Sequence, residues 1–224
     1  MKHILTLVVA GVLSAQFAWS GENLALADLL PAGGNSEIIS VPLPGVPSRT
    51  VRSAAGAAPD VLVRTMCDEV LKIVKTASKD EIMALLLPNF NFEHMTRLAA
   101  GKSWQQATEE QQKALVAEFS KLLVRTYSSA LDLLSDGISI EVKPLGPQTK
   151  PEEALVRTVA KSSGQTPVAI DYRMESAGET WQVFDVILDG VSLIVNYRSQ
   201  FSGVIARSGI DGLIKLLAEK NSKP

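Results

Sequence analysis

The chain has one cysteine and two histidines in 224 residues, and that scarcity removes whole classes of chemistry. Cys67 alone forms no internal disulfide. With His3 at the extreme N-terminus and His94 far from it, no zinc site of the usual Cys/His kind assembles. No apolar run reaches the roughly 20 residues that a membrane span requires. Basic residues hold no surplus: 22 Lys and Arg stand against 24 Asp and Glu, a net charge of −2, which argues against nonspecific attraction to nucleic acid or anionic lipid surfaces as the basis of function. GxSxG, HExxH, P-loop and GxGxxG stretches are all missing. What is there is 46% hydrophobic and 21% charged, the balance of one ordinary folded domain.

The N-terminus carries a processing pattern. Met1-Lys2-His3, an apolar stretch from Ile4 to Ala15 and the small-residue end Ala18-Trp19-Ser20 predict a secretory signal peptide over 1–20, with Ala25-Leu26-Ala27 as the alternative cleavage site, giving 1–27. Residues 21–58 are rich in Pro, Gly, Ser and Ala, with Pro31, Pro42, Pro44 and Pro47 breaking any period, and read as a flexible linker.

From 59 to 221 the chain reads as a folded domain. Pro59 at a helix start precedes Leu62, Met66, Val70, Ile73 and Ala77, a stripe at helical spacing. Cys67 beside that stripe reads as a small buried residue rather than a reactive thiol. Ser78-Lys79-Asp80-Glu81 is a capping box for a short helix stopped by Pro88. A third helix runs from about Phe92 to Ala99, ended by Gly101. Thr108-Glu109-Glu110-Gln111 opens the longest, predicted over Glu109 to Leu134, with Leu115, Phe119, Leu122, Thr126 and Leu133 in one row and Val116, Leu123, Tyr127 and Leu134 in a second. After Asp136-Gly137 the period changes to two: Ile138, Ile140 and Val142; then Leu155 to Ala160; then Val168, Ile170, Tyr172 and Met174; then the nearly continuous apolar run Trp181 to Leu188. Short connections make these four strands antiparallel. Asp189-Gly190 breaks the last strand, Ser192 caps a helix carrying Leu193, Tyr197, Phe201 and Val204, and Gly209 separates it from a final one. Helices, strands, helices in that order define an α+β fold.

Three segments in order carry a family resemblance. They are Pro88-x-Phe90-x-Phe92-x-x-Met95-Thr96-Arg97-Leu98-Ala99-x-Gly101-x-x-Trp104-x-x-Ala107-Thr108-x-x-Gln111; Leu122-Leu123-x-Arg125-Thr126-Tyr127-Ser128-x-Ala130-Leu131; and Asp185-Val186 with Gly190-Val191-Ser192-Leu193 and Asn196-Tyr197-Arg198-x-x-Phe201. Over about 59–221 the chain resembles the MlaC and toluene-tolerance Ttg2 family, the phospholipid-binding component of the Mla ABC transport system. The resemblance implies a helical N-terminal layer on a roughly four-stranded antiparallel sheet with C-terminal helices, an NTF2-like cone around an apolar lipid cavity. It also implies a monomeric periplasmic carrier of a Gram-negative bacterium, secreted across the inner membrane. That carrier would shuttle phospholipid between an outer-membrane lipoprotein complex (MlaA-like) and an inner-membrane ABC transporter complex (MlaD-like), maintaining outer-membrane lipid asymmetry. No cofactor beyond the bound lipid is implied. The long 28–58 stretch departs from the family pattern.

Strand alternation and the two helix rows give the candidate cavity lining: Phe119, Leu122, Leu123 and Tyr127 from the long helix; Val168, Ile170, Tyr172 and Met174 from one strand; Phe184, Val186 and Leu188 from the next, chosen over Val183 and Ile187; and Leu193, Tyr197 and Phe201 from the helix that follows. No catalytic or metal residue is expected. His94 has no orienting partner visible in sequence, and Arg97, Arg125 and Arg198 are expected to make ion pairs or helix C-terminal contacts ahead of head-group contacts. Two rivals remain: an apolar small-molecule binding module, and an NTF2-like cavity enzyme built on Asp185, Tyr172 and Tyr197, which requires the carboxylate to face the cavity with its pKa raised.

Overall fold

Pro59 costs its helix nothing at the first position, where the missing N–H has no acceptor, and Asp60 in the first turn complements the dipole. The helix it opens, α1 (Pro59–Ile73), buries Leu62, Val63, Met66, Cys67 and Val70. The computed structural model describes residues 57–128, 138–162 and 164–222, so the expected signal peptide and nearly all of the linker lie outside the described residues. Ser78 caps α2 (Lys79–Leu86) through a reciprocal box: its Oγ accepts from the Glu81 N–H at 3.3 Å and its own N–H donates to Glu81 Oε2 at 2.7 Å. A 3₁₀ turn (Leu87–Asn89) built on Pro88 leads to α3 (Phe92–Ala100), capped by Asn91, whose Oδ1 accepts from the His94 N–H at 2.9 Å.

Gly101 ends α3 at φ 61°, a backbone conformation that favours glycine, and the Arg198 guanidinium packs close over it, 3.2 Å from where a Cβ would stand. Arg198 thus lies at the C-terminus of α3, and Arg125 donates to the Lys220 carbonyl near the chain end. Thr108 and Gln111 form a second capping box for α4 (Glu109–Ser128). The expected continuation of this helix to Leu134 lies outside the described residues.

The strands β1 (Ser139–Val142), β2 (Glu153–Lys161), β3 (Val168–Ala177), β4 (Thr180–Leu188) and β5 (Val191–Ser192) form one antiparallel meander in that spatial order. The four expected strands are present, and a two-residue fifth is added by the Asp189-Gly190 hairpin. Both loop residues have positive φ, 45° and 84°, the type I′ geometry whose twist matches the flanking strands and which Asp-Gly favours. The last helix, α5 (Leu193–Ser222), is interrupted at Gly209 (φ 68°, ψ −174°).

One irregularity re-aims the sheet. Arg173 pairs with Asp185 and Met174 with Val183, leaving Phe184 as an extra residue in β4. Cross-strand partners share a face, so Val183, Val186 and Leu188 lie with Met174, Tyr172 and Ile170. Phe184 instead packs with the helices α3, α4 and α5. The preference for Phe184 over Val183 as the face-mate of Val186 and Leu188 is therefore corrected: simple alternation miscounts across a bulge.

Burial falls into three clusters. The first unites α3, α4, α5 and Phe184 around Phe119 and Phe201. The second sets Leu62, Val63, Met66 and Cys67 of α1 on Val142, Val156, Met174 and Val183 of the sheet. The third is small, Val70, Ile82 and Leu85, and seats α2 on the end of α1.

Asp185 joins sheet to helix. It has no exposed surface; Oδ2 accepts from Ser192 Oγ at 2.6 Å, Oδ1 accepts from the Ile194 N–H at 3.1 Å, and Arg173 Nη1 lies 3.8 Å away. The carboxylate occupies the N-terminus of α5, where it caps the turn that leads into the helix. Asp185→Ala strands the Ser192 hydroxyl and the Ile194 N–H, and should cost about 2–4 kcal/mol in urea unfolding. A loss under about 0.5 kcal/mol, the level of an ordinary surface change, would contradict that role.

Candidate functional site

Where the three clusters meet they do not close. Between them lies a cavity of about 250 Å³. Its helical side is Met83 and Leu86 of α2, Leu87 of the 3₁₀ turn, Phe90, Phe92 and Met95 at the start of α3, and Leu123, Val124 and Tyr127 of α4. Its sheet side is Ile170 and Tyr172 of β3 with Val186 and Leu188 of β4, and Leu193 at the first turn of α5 completes it. Ile170 pairs with Leu188 and Tyr172 with Val186, so these four form one contiguous panel.

Of the candidate lining, Leu123, Tyr127, Ile170, Tyr172, Val186, Leu188 and Leu193 border the cavity. Phe119, Phe184, Tyr197 and Phe201 instead fill the first cluster, where Phe119 meets Tyr197 and Phe201 edge-on at 4.9 and 5.0 Å; Leu122 packs against its flank. Met174 is fully buried under α1, and Val168 is buried at the start of β3. These seven do not border this cavity: a helix row or strand face says which side is apolar, not whether protein or space lies against it. Sequence reasoning passed over Met83, Leu86, Leu87, Phe90, Phe92, Met95 and Val124. The signal was present, since Ile82-Met83-Ala84-Leu85-Leu86-Leu87 is apolar on every side of a short helix, more than one packing face can use.

The polar groups near the cavity are few. The hydroxyls of Tyr127 and Tyr197 share a hydrogen bond, and Thr126 is a second hydrogen-bond partner of Tyr197. Burial pushes all three tyrosines, 127, 172 and 197, above the usual phenol range. His94 is not alone, which corrects the sequence reading: its Nδ1 lies 2.8 Å from Glu175 Oε2, and Asn91 Nδ2 donates to Glu175 Oε1 at 2.8 Å. The imidazole stacks on Phe184 at 4.7 Å, with the Arg173 guanidinium 4.8 Å from the same ring. This group clamps the start of α3 onto β3 across β4. The trio Asp185, Tyr172 and Tyr197 does not converge. Asp185 and Tyr172 occupy opposite faces of the sheet, as their partners Arg173 and Val186 require, and Tyr197 is buried in the helical cluster. Among the described residues no three His, Cys, Asp or Glu side chains gather as a metal site, and no helix is long and apolar enough to cross a membrane.

Fold and cavity together define an α+β domain, helices on an antiparallel sheet, with an uncharged hollow at their seam. The profile of the MlaC protein family matches residues 60–219, and the chain belongs to that family. A solved phospholipid-binding protein of Ralstonia solanacearum, in complex with a phospholipid, is similar at 32% identity and a TM-score of 0.68, covering 74% of this chain and 98% of that one. The intermembrane phospholipid transport system binding protein MlaC of Haemophilus influenzae is 25% identical over 143 residues, 62% of this chain and 66% of its own length. The toluene tolerance protein ttg2D of Pseudomonas putida is 27% identical over 107 residues, 48% of this chain. The chain thus spans 66% and 49% of the lengths of these two curated relatives.

Cys67 tests the wall behind the cavity. Burial pushes its thiol up to about 11, with Asp68 adding and Arg64 opposing, so at pH 8 about one molecule in a thousand carries the reactive thiolate, before access is counted. Iodoacetamide should leave the native protein unmodified and label the urea-unfolded chain fully. Fast native labelling would mean that α1 lifts from the sheet.

Proposed function

We propose that this protein is a periplasmic phospholipid carrier without enzymatic activity. Acyl chains occupy the cavity, the head group remains in solvent, and the carrier moves lipid between an outer-membrane lipoprotein complex and an inner-membrane ABC transporter complex. Residues 1–20 direct export, 21–58 serve as a linker, and the domain over 59–221 carries the lipid. The single observation behind this reading is the cavity wall, aliphatic, aromatic or thioether apart from two phenols, in a chain 32% identical to a protein solved with a phospholipid bound. Burying two acyl chains at about 0.8 kcal/mol per methylene is favourable by on the order of 20 kcal/mol relative to water, so escape into solution is negligible. Against a bilayer the difference nearly vanishes, because both hosts are apolar, and handover to a docked partner needs a continuous dry path rather than chemistry. At about 250 Å³ the cavity lies below the roughly 300–1,000 Å³ of pockets for drug-sized ligands, so loading a whole diacyl lipid widens it. The cavity-enzyme reading has no support in a carboxylate whose oxygens are both taken by Ser192 and Ile194.

Native mass spectrometry of protein purified from cells under mild conditions should find phospholipid at one per chain; protein free of lipid, and unable to take it from vesicles, would overturn the proposal. Ile170→Asp or Val186→Asp, on the cavity panel, should abolish lipid retention at a stability cost of about 1–2 kcal/mol, whereas Met174→Asp, with no exposed surface, should cost more than about 4 kcal/mol and unfold the domain. Equal destabilisation at all three sites would make the panel ordinary core.

A further inference from the structure

The described residues that carry sulfur are Met66, Cys67, Met83, Met95 and Met174. All but one are sealed. Met66 and Cys67 are buried between α1 and the sheet, and Met174 faces them with no exposed surface. Burial also holds the Cys67 thiol protonated, which makes it a poor nucleophile. Met95 borders the cavity but keeps only 2% of its surface in solvent. Met83 differs: it is half-buried on α2, rests against the smallest apolar cluster, and lines the cavity beside Leu86 and Leu87. Among the described residues it is therefore the sulfur that a solute reaches without the fold opening, and it stands where a guest would lie.

A thioether packs like the aliphatic side chains around it until it is oxidised. Hydrogen peroxide does this in one two-electron step. A sulfur lone pair attacks one peroxide oxygen, the S–O bond forms as the O–O bond breaks, and the departing hydroxide takes the transferred oxygen's proton and leaves as water. The sulfoxide is polar and chiral, and no charged side chain lines this wall to pair with it. An acyl chain laid against it loses apolar contact and leaves the new acceptor unmet. Resting on the carrier reading, we propose that Met83 is a modification site: its oxidation by a peroxide weakens the hold of the cavity on acyl chains, and bound lipid in turn shields its sulfur. The loss is recoverable, because sulfoxide reductases return the thioether.

The test treats delipidated protein and protein loaded with phosphatidylglycerol with graded hydrogen peroxide. Peptide mass spectrometry reads each methionine, and native mass spectrometry counts retained lipid. In the delipidated protein Met83 should gain one oxygen about tenfold faster than Met66, Met95 or Met174, and bound lipid should slow it severalfold. Protein carrying the Met83 sulfoxide alone should retain phosphatidylglycerol about tenfold less than before treatment, the effect of one unmet polar group in an apolar wall, with its circular dichroism unchanged. Sulfoxide reductase should restore retention. Met83→Leu is compared only with itself, and its retention should be the same before and after peroxide; if that variant holds no lipid at the outset, recovery under the reductase decides alone. Equal oxidation of the buried methionines, no shielding by lipid, unchanged retention by the sulfoxide, an equal loss in treated Met83→Leu, or a loss that accompanies unfolding would overturn the proposal. Failure of untreated wild type to hold phosphatidylglycerol would instead sink the carrier reading, and this assignment with it.

Discussion

A carboxylate with no exposed surface organises this domain. Asp185 sits where β4 leaves its regular register, and its two oxygens hold Ser192 and the first turn of α5. Taking a carboxylate out of water is expensive unless its lone pairs are filled and positive charge lies near. The Ser192 hydroxyl, the Ile194 N–H, the helix dipole and the Arg173 guanidinium together meet that condition. Because the cap is met from within the sheet, the direction in which α5 departs is set by β4. Leu193 is thereby held against the cavity, and Ile194, Tyr197 and Phe201 against α4.

The cavity exists because the helices are anchored elsewhere. α1 is seated on the sheet through one cluster, and α3, α4 and α5 through another, and side chains that border both, such as Phe90, span the seam without filling it. Apolar side chains that line a gap instead of packing on protein forgo the contacts a closed core would give them. An ordinary core would have closed.

Local rules made much of the fold legible. Pro59, the Ser78–Glu81 and Thr108–Gln111 boxes, the Asp189-Gly190 hairpin and the Gly209 break each act within a few residues, so sequence neighbours suffice to place them. What was hidden depends on distant pairing. His94 finds Glu175 at a separation of 81 positions, and no local pattern announces it. The bulge at Phe184 shifts the register by one residue and so inverts a face count that is otherwise correct. Half of the lining was missed for a related reason: Phe119 and Leu123 lie one turn apart on α4, yet one is sealed in the core and the other borders space, a difference that arises only when three clusters are assembled around the gap.

The smallest of those clusters has a consequence for motion. α2 is an eight-residue helix held by Ile82 and Leu85 against Val70, while Met83 and Leu86 on its other flank look onto the cavity. Cooperative units open in order of the apolar area they expose, and this is the unit with least to expose. The eight-residue helix therefore carries one flank of the hollow while resting on the smallest of the three apolar clusters.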